Sequence, residues 1–245
     1  MNMNYLFRSS KLYLMVICVI GVMLITGCGT VGRNIAPPQD TVPIVQEAVD
    51  RYVLTHQEPP VKKPSINAGR YERYPIHFRA LINTMQLSEA PSNAYENGGP
   101  YYYVLIQDDA EKWHVKLIDM IVWQQVNDIQ LQANQYLERN GRLPASEKVS
   151  EGIFRLDAKA LGLEEGNVRS VYSPQMLPLL ITSEGEIVID YSFEIMRAIQ
   201  SLGESFQPRS DLRDVLIEQS FMLPVHSLPY EWVDDQPLIV NVAKR

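Results

Sequence analysis

YYYVLIQDDAEKWHVKL, residues 101–117, decides the fold. Tyr101 to Ile106 is a run of aromatic and aliphatic residues that suit a strand. Gln107 to Glu111 is a polar turn, after which Trp113, Val115 and Leu117 alternate with Lys112, His114 and Lys116. Alternation of period two on either side of a short polar turn predicts an antiparallel hairpin with one face buried and one in water. Such a hairpin needs an apolar surface to lie on, and the flanking sequence offers helices.

Upstream, Thr41 is placed to cap a helix and Pro43 suits its first turn, while Ile44, Val45, Ala48, Val49, Tyr52 and Val53 recur with the 3.6-residue period. Pro59, Pro60 and Pro64 break that pattern, and Tyr74-Pro75 opens a short helical pattern through Phe78, Leu81 and Ile82. Downstream, Asp119 hands over to a longer helix with Val122, Val126, Ile129, Ala133, Tyr136 and Leu137 on one face, closed by Asn140-Gly141. Asp157 caps a short helix over Ala158, Ala160 and Leu161. A second hairpin follows from Leu177 to Tyr191, turning at Ser183 to Glu186. Ser192 begins a helix that ends at Gly203, Ser210 caps another through Leu212, Val215 and Leu216, and Pro237 to Val242 reads as a last strand. The expected class is α+β, built of short helices and antiparallel hairpins.

Three segments look alike: AVDRYVLTHQEPPV (48–61), ANQYLERNGRLPA (133–145) and LRDVLIEQSFMLPV (212–225). Each carries a helical pattern that stops a few residues before Pro60, Pro144 or Pro224, and the first two are followed by a short helix and then a hairpin. The expectation is two tandem helix, short helix and hairpin units, at 42–120 and 121–205, with 206–245 as a truncated third.

The N-terminus has a different character. Arg8 and Lys11 precede an apolar run from Leu12 to Ile25, too short to span a bilayer and laid out like a secretory signal. The run closes on Ile25-Thr26-Gly27-Cys28, which resembles the lipobox of bacterial lipoproteins. That resemblance implies a signal peptide at 1–27, diacylglyceryl transfer to the Cys28 sulfur and cleavage just before it. It also implies a home at the cell membrane on its extracytoplasmic face, with membrane lipid as the first partner. Residues 28–41, rich in Gly, Pro and polar side chains, read as a flexible tether. Loss of residues 1–27 removes Arg8, Lys11 and no acid, so the formal charge of −7 becomes −9. So acidic a body is unsuited to nucleic acid, where affinity rests on Lys and Arg against phosphate.

Residues able to do chemistry are scattered. His56, His77, His114 and His226 lack the close ligand spacing of zinc motifs, so neither a metal nor another cofactor is expected. Nucleophile elbows, phosphate loops and the metalloprotease helix motif are missing from the sequence. The acids Asp108-Asp109, Glu184, Glu186, Glu231 and Asp234-Asp235 sit where turns explain them. Aromatic residues are the more suggestive set: Tyr101, Tyr102, Tyr103, Trp113 and Trp232 could offer rings to a glycan or to a partner protein. The sequence therefore reads as an anchored envelope protein that binds or assembles without catalysis. A solute- or glycan-binding lipoprotein and an envelope hydrolase are the alternatives.

Overall fold

The computed structural model describes residues 35–63, 69–207 and 209–240. The chain from Ile35 to Arg245 is one compact unit. The signal, Cys28 and the tether as far as Asn34 lie outside the described residues. Among those described, no helix is long and apolar enough to cross a membrane.

The architecture is α+β. Helix α1 (Pro38–His56) starts three residues before Thr41, because Pro38 can occupy a first turn that needs no N–H donor. Thr41 is thus inside the helix and buried. The end of the expected tether also belongs to the body: Ala36 N–H donates to Ser92 Oγ, and its carbonyl accepts from Asn93 Nδ2. Tyr74-Pro75 is extended, not helical. Pro75 and Ile76 form isolated bridges to Val104 and Val61, and α2 (Phe78–Asn83) follows. Next come the hairpin β1 (Tyr101–Gln107) and β2 (Trp113–Asp119), and then α3 (Met120–Asn140). As read from sequence, Asp119 caps α3, its Oδ1 accepting from the N–H groups of Ile121 and Val122.

The second half adds a pair the sequence concealed. Strands β3 (Ala145–Ser150) and β4 (Ile153–Leu156) form an irregular hairpin, and β3 is so rich in charge and exposure that alternation did not betray it. A 3-10 turn at Lys159–Leu161 follows, with Asp157 Oδ1 accepting from Ala160 N–H as expected. Strand β5 (Asn167–Arg169) and the hairpin β6 (Met176–Thr182) and β7 (Ile187–Ile189) complete the sheet, with β6 pairing to β4, β5 and β7. Helices α4 (Ser192–Leu202) and α5 (Arg213–Gln219) and the hairpin β8 (Tyr230–Val233) and β9 (Gln236–Ile239) end the described chain.

The repeat is visible bond by bond. In α1, Gln46 Nε2 donates to the Trp113 carbonyl while its Oε1 accepts from Val115 N–H, at 2.9 and 2.7 Å. In α3, Gln130 Nε2 donates to the Gly185 carbonyl and its Oε1 accepts from Ile187 N–H, at 2.8 and 2.7 Å. Each amide so mimics a neighbouring strand and closes the outer edge of its hairpin. The same Nε2 also meets a residue one turn on, Asp50 in one helix and Asn134 in the other. Both helices stop on a left-handed residue, Gln57 or Gly141, whose N–H returns to Val53 or Leu137. Val61 then pairs Ile76 where Ala145 pairs Leu156, and Pro75 pairs Val104 where Arg155 pairs Leu180. Gln46 and Gln130 stand 84 residues apart, Ile76 and Leu156 80, Val104 and Leu180 76, Lys116 and Val188 72. Each step marks a longer connection in the first copy.

The third copy does not exist as expected. Past α5 the chain runs extended from Phe221 to His226, lying along the last strand of each hairpin. Leu117 N–H donates to Phe221 O, and its counterpart Ile189 N–H donates to His226 O. Helix α5 also begins without the Ser210 cap, since Asp211 takes the N–H of Arg213 instead.

Packing follows from this layout. One cluster lies under α1, from Val42 to Tyr52 with Phe78, Leu81, Tyr103, Leu105 and Val115. A larger one gathers α3, β6, β7, α4 and α5. A third joins the other face of β1 and β2, through Val104 and Ile118, to Ile217, Leu223 and Val225. The first hairpin is therefore covered on both faces, not one. Lys116, expected in water, reaches the carbonyls of Ile217 and Ser220 at the end of α5.

Candidate functional site

The five aromatic residues singled out in the sequence do not share a surface. Tyr103 is 1% exposed. Its Oη lies 2.8 Å from both Thr41 Oγ1 and Asn93 Oδ1, and Asn93 Nδ2 donates to Thr41 Oγ1, so its place on an exposed row is corrected to a buried polar knot that ties α1 to β1. Tyr101 and Trp113 pack at the margin of the cluster under α1, Trp113 edge-on to Tyr74. Tyr102 faces the opposite side, beneath Lys62 and edge-on to Tyr95. Trp232 belongs to the far end of the molecule, against Phe206. Core packing and strand alternation account for each ring.

The acids at the turns serve the turns. Asp108 Oδ1 accepts from the N–H groups of Ala110 and Lys112, and Oδ2 meets His114 Nε2 at 2.7 Å. Asp234 and Asp235 both take positive φ between β8 and β9, the conformation of a tight two-residue hairpin turn. Among the described residues no group of three or more His, Cys, Asp or Glu side chains is placed to hold a metal ion.

Polar groups are concentrated at the seam between the copies. Every seam carbonyl that faces inward finds a donor: Met222 O accepts from Tyr172 Oη, Val225 O from Tyr191 Oη, and Pro224 O from Ser227 Oγ. Arg70, Tyr71 and Glu72, from the long connection of the first copy, reach across it. Arg70 donates to Asp211 and Asp214 at 2.7 and 3.0 Å, and Tyr71 lies between the guanidinium groups of Arg70 and Arg213. Burial pushes the Tyr71 hydroxyl up to about 12 despite those cations. Burial opposes ionisation of Asp211, but its bonds to Arg213 and the nearby Arg70 outweigh it and hold the carboxyl below its usual range. Glu72 accepts from Trp123 Nε1. His226 sits beside Trp123, with φ of 50° and a buried Nε2 that has no hydrogen bond. Burial lowers its pKa against the pull of Glu72.

The first copy, from the start of α1 to the end of β2, also stands out by comparison. Residues 38–119 match the model of the YphF family N-terminal domain. The matched span opens at Pro38 and closes at Asp119, so it coincides with one copy of the repeat and leaves the second copy and the seam outside. No curated protein and no solved structure matches the chain.

Three residues with structural or chemical leverage escaped the sequence reading: Gln46, Gln130 and Glu194. The glutamines had a signal, since each stands beside an apolar stripe and each is followed four residues later by Asp or Asn. Glu194 had one too. It precedes Ile195 and lies one turn before Ala198, which places a carboxylate at the edge of a buried stripe.

Proposed function

We propose that this chain is a lipid-anchored protein of the bacterial envelope, held at the extracytoplasmic face of the cell membrane through Cys28, that works by binding or assembling with a protein partner and performs no reaction of its own. The observation that carries the reading is the lipobox-like Ile25-Thr26-Gly27-Cys28 set so close to a folded body. Ala36, already hydrogen-bonded to Ser92 and Asn93, is eight residues after Cys28. That length of chain reaches at most about 28 Å. A diacylglyceryl group supplies two acyl chains, enough for lasting attachment where one is marginal. The body then works within a short distance of the lipid heads, and its acidic charge keeps it from lying on anionic ones. A duplicated unit with both hairpin edges closed is suited to presenting a fixed outer surface to a membrane-proximal partner.

Replacement of Cys28 by Ala should leave an uncleaved precursor that takes up no lipid label; normal processing would refute the anchor. Cross-linking of the lipidated protein in its own membranes, read by mass spectrometry, should return the same protein partner from wild-type membranes repeatedly. Recovery of none would overturn the assembly reading in favour of a small ligand.

A further inference from the structure

A half-open cleft of about 340 Å³ lies between α4, α5 and the loop that joins β5 to β6, at the small end of the range for ligand sites. Tyr172, Glu194, Arg197, Ser201, Gln219 and Ser220 supply its polar lining. Glu194 is the unusual member, for its residue is 1% exposed and its carboxylate is divided in role. Oε1 accepts from Ser170 Oγ at 2.6 Å and from Ser173 Oγ as well. Oε2 is buried and accepts no hydrogen bond.

A buried carboxylate oxygen without a donor costs free energy unless something completes it. The nearest cation is Arg197, whose Nη2 lies 3.3 Å from Oε2 but donates its hydrogen bond to the Tyr172 carbonyl. Its side chain is half exposed, so the pair is screened and its remaining N–H groups face the mouth of the cleft. The cleft thus presents one acceptor in want of a cationic donor and, beside it, one guanidinium in want of an anion. Val171, Ala198 and Leu216 give an apolar wall.

We propose that this cleft binds a free α-amino acid with a small uncharged side chain. Its ammonium donates to Glu194 Oε2, its carboxylate meets the Arg197 guanidinium, and its side chain lies against the apolar wall. No single group of the ligand serves both ends, so the site selects the zwitterion over either half. The inference does not depend on the lipid anchor or on a protein partner.

The test uses the full chain in detergent, titrated calorimetrically with glycine, alanine, valine and leucine, and with N-acetyl-alanine and alaninamide as half-ligands. At least one free amino acid should bind saturably, and each half-ligand should bind about tenfold or more weaker, the loss expected for one charged hydrogen bond. Glu194→Gln should erase the advantage of alanine over N-acetyl-alanine, and Arg197→Ala its advantage over alaninamide. Arg197 is half exposed, so that variant keeps the test open if Glu194→Gln does not fold. Absence of saturable binding by every free amino acid, or half-ligands that bind as tightly as alanine, would overturn the proposal.

Discussion

The two copies differ most where they are least alike in length. From Val61 to Ile76 the first copy takes a long excursion, while from Ala145 to Leu156 the second makes a direct hairpin. The second copy spends these residues on its own ladder. The first sends Arg70, Tyr71 and Glu72 away to Asp211, Asp214 and Trp123. Both retain the glutamine that closes the hairpin edge. The lesson is a division of labour: the helix, edge amide and hairpin carry each copy, and the connections carry the junction between them.

The junction is where the largest loss is expected. Asp211→Ala strands the nearly buried Arg213 and frees Arg70, and breaking a buried pair in this way should cost about 3 to 5 kcal/mol in urea unfolding. A loss below about 1 kcal/mol would mean that the excursion does not hold the seam. The same carboxyl has a lowered folded pKa, so its contribution is present above its unfolded pKa of 3.8 and declines as pH falls through the folded value. The edge amides come next. Gln46→Leu and Gln130→Leu each leave a strand N–H and carbonyl without partners and should cost about 2 kcal/mol apiece. Equal losses would support equivalence of the copies, and a loss in only one would break it.

Acid should act on the seam through His226. Its folded pKa lies below the usual 6.5, so the unfolded chain binds the proton more readily and stability should decline as pH falls from 6.5 toward the folded value. His226→Asn, which tolerates the left-handed backbone, should flatten that slope in melting-temperature profiles between neutral and mildly acid pH. The smallest effects belong to the helix ends. Gly141→Gln should cost about 1 kcal/mol at φ of 65°, whereas Gln57→Gly should be neutral or stabilise by roughly 0.5 kcal/mol. Equal cost in both directions would contradict the shared cap geometry.

Much of the fold was legible because its signals are local. The alternation after Trp113, the 3.6-residue stripe of α3, the Asp119 cap and the Asn140-Gly141 close all act within a few residues. The repeat was legible from the prolines that end the first two helices. The same rule misled at Pro224, where the chain serves as an extended seam strand because partners at Leu117 and Ile189 lie far away in sequence. Lys116 and Tyr103 were misplaced for a related reason: alternation tells which side of a strand a residue takes, and cannot tell that a distant segment covers the polar side. Strand β3 was hidden because an exposed edge strand carries charge by design against aggregation. The cleft at Glu194 was out of reach, since Ser170, Ser173 and Gln219 converge on it only through the fold.

Amide hydrogen exchange at Val115 and Ile187 tests the account of two equivalent copies most directly. In the wild-type chain both amides should exchange slowly. Gln46→Leu should speed Val115 by about tenfold or more and leave Ile187 unchanged, and Gln130→Leu should do the reverse. Fast exchange at either amide in the wild-type chain, or no response to loss of its own glutamine, would contradict it.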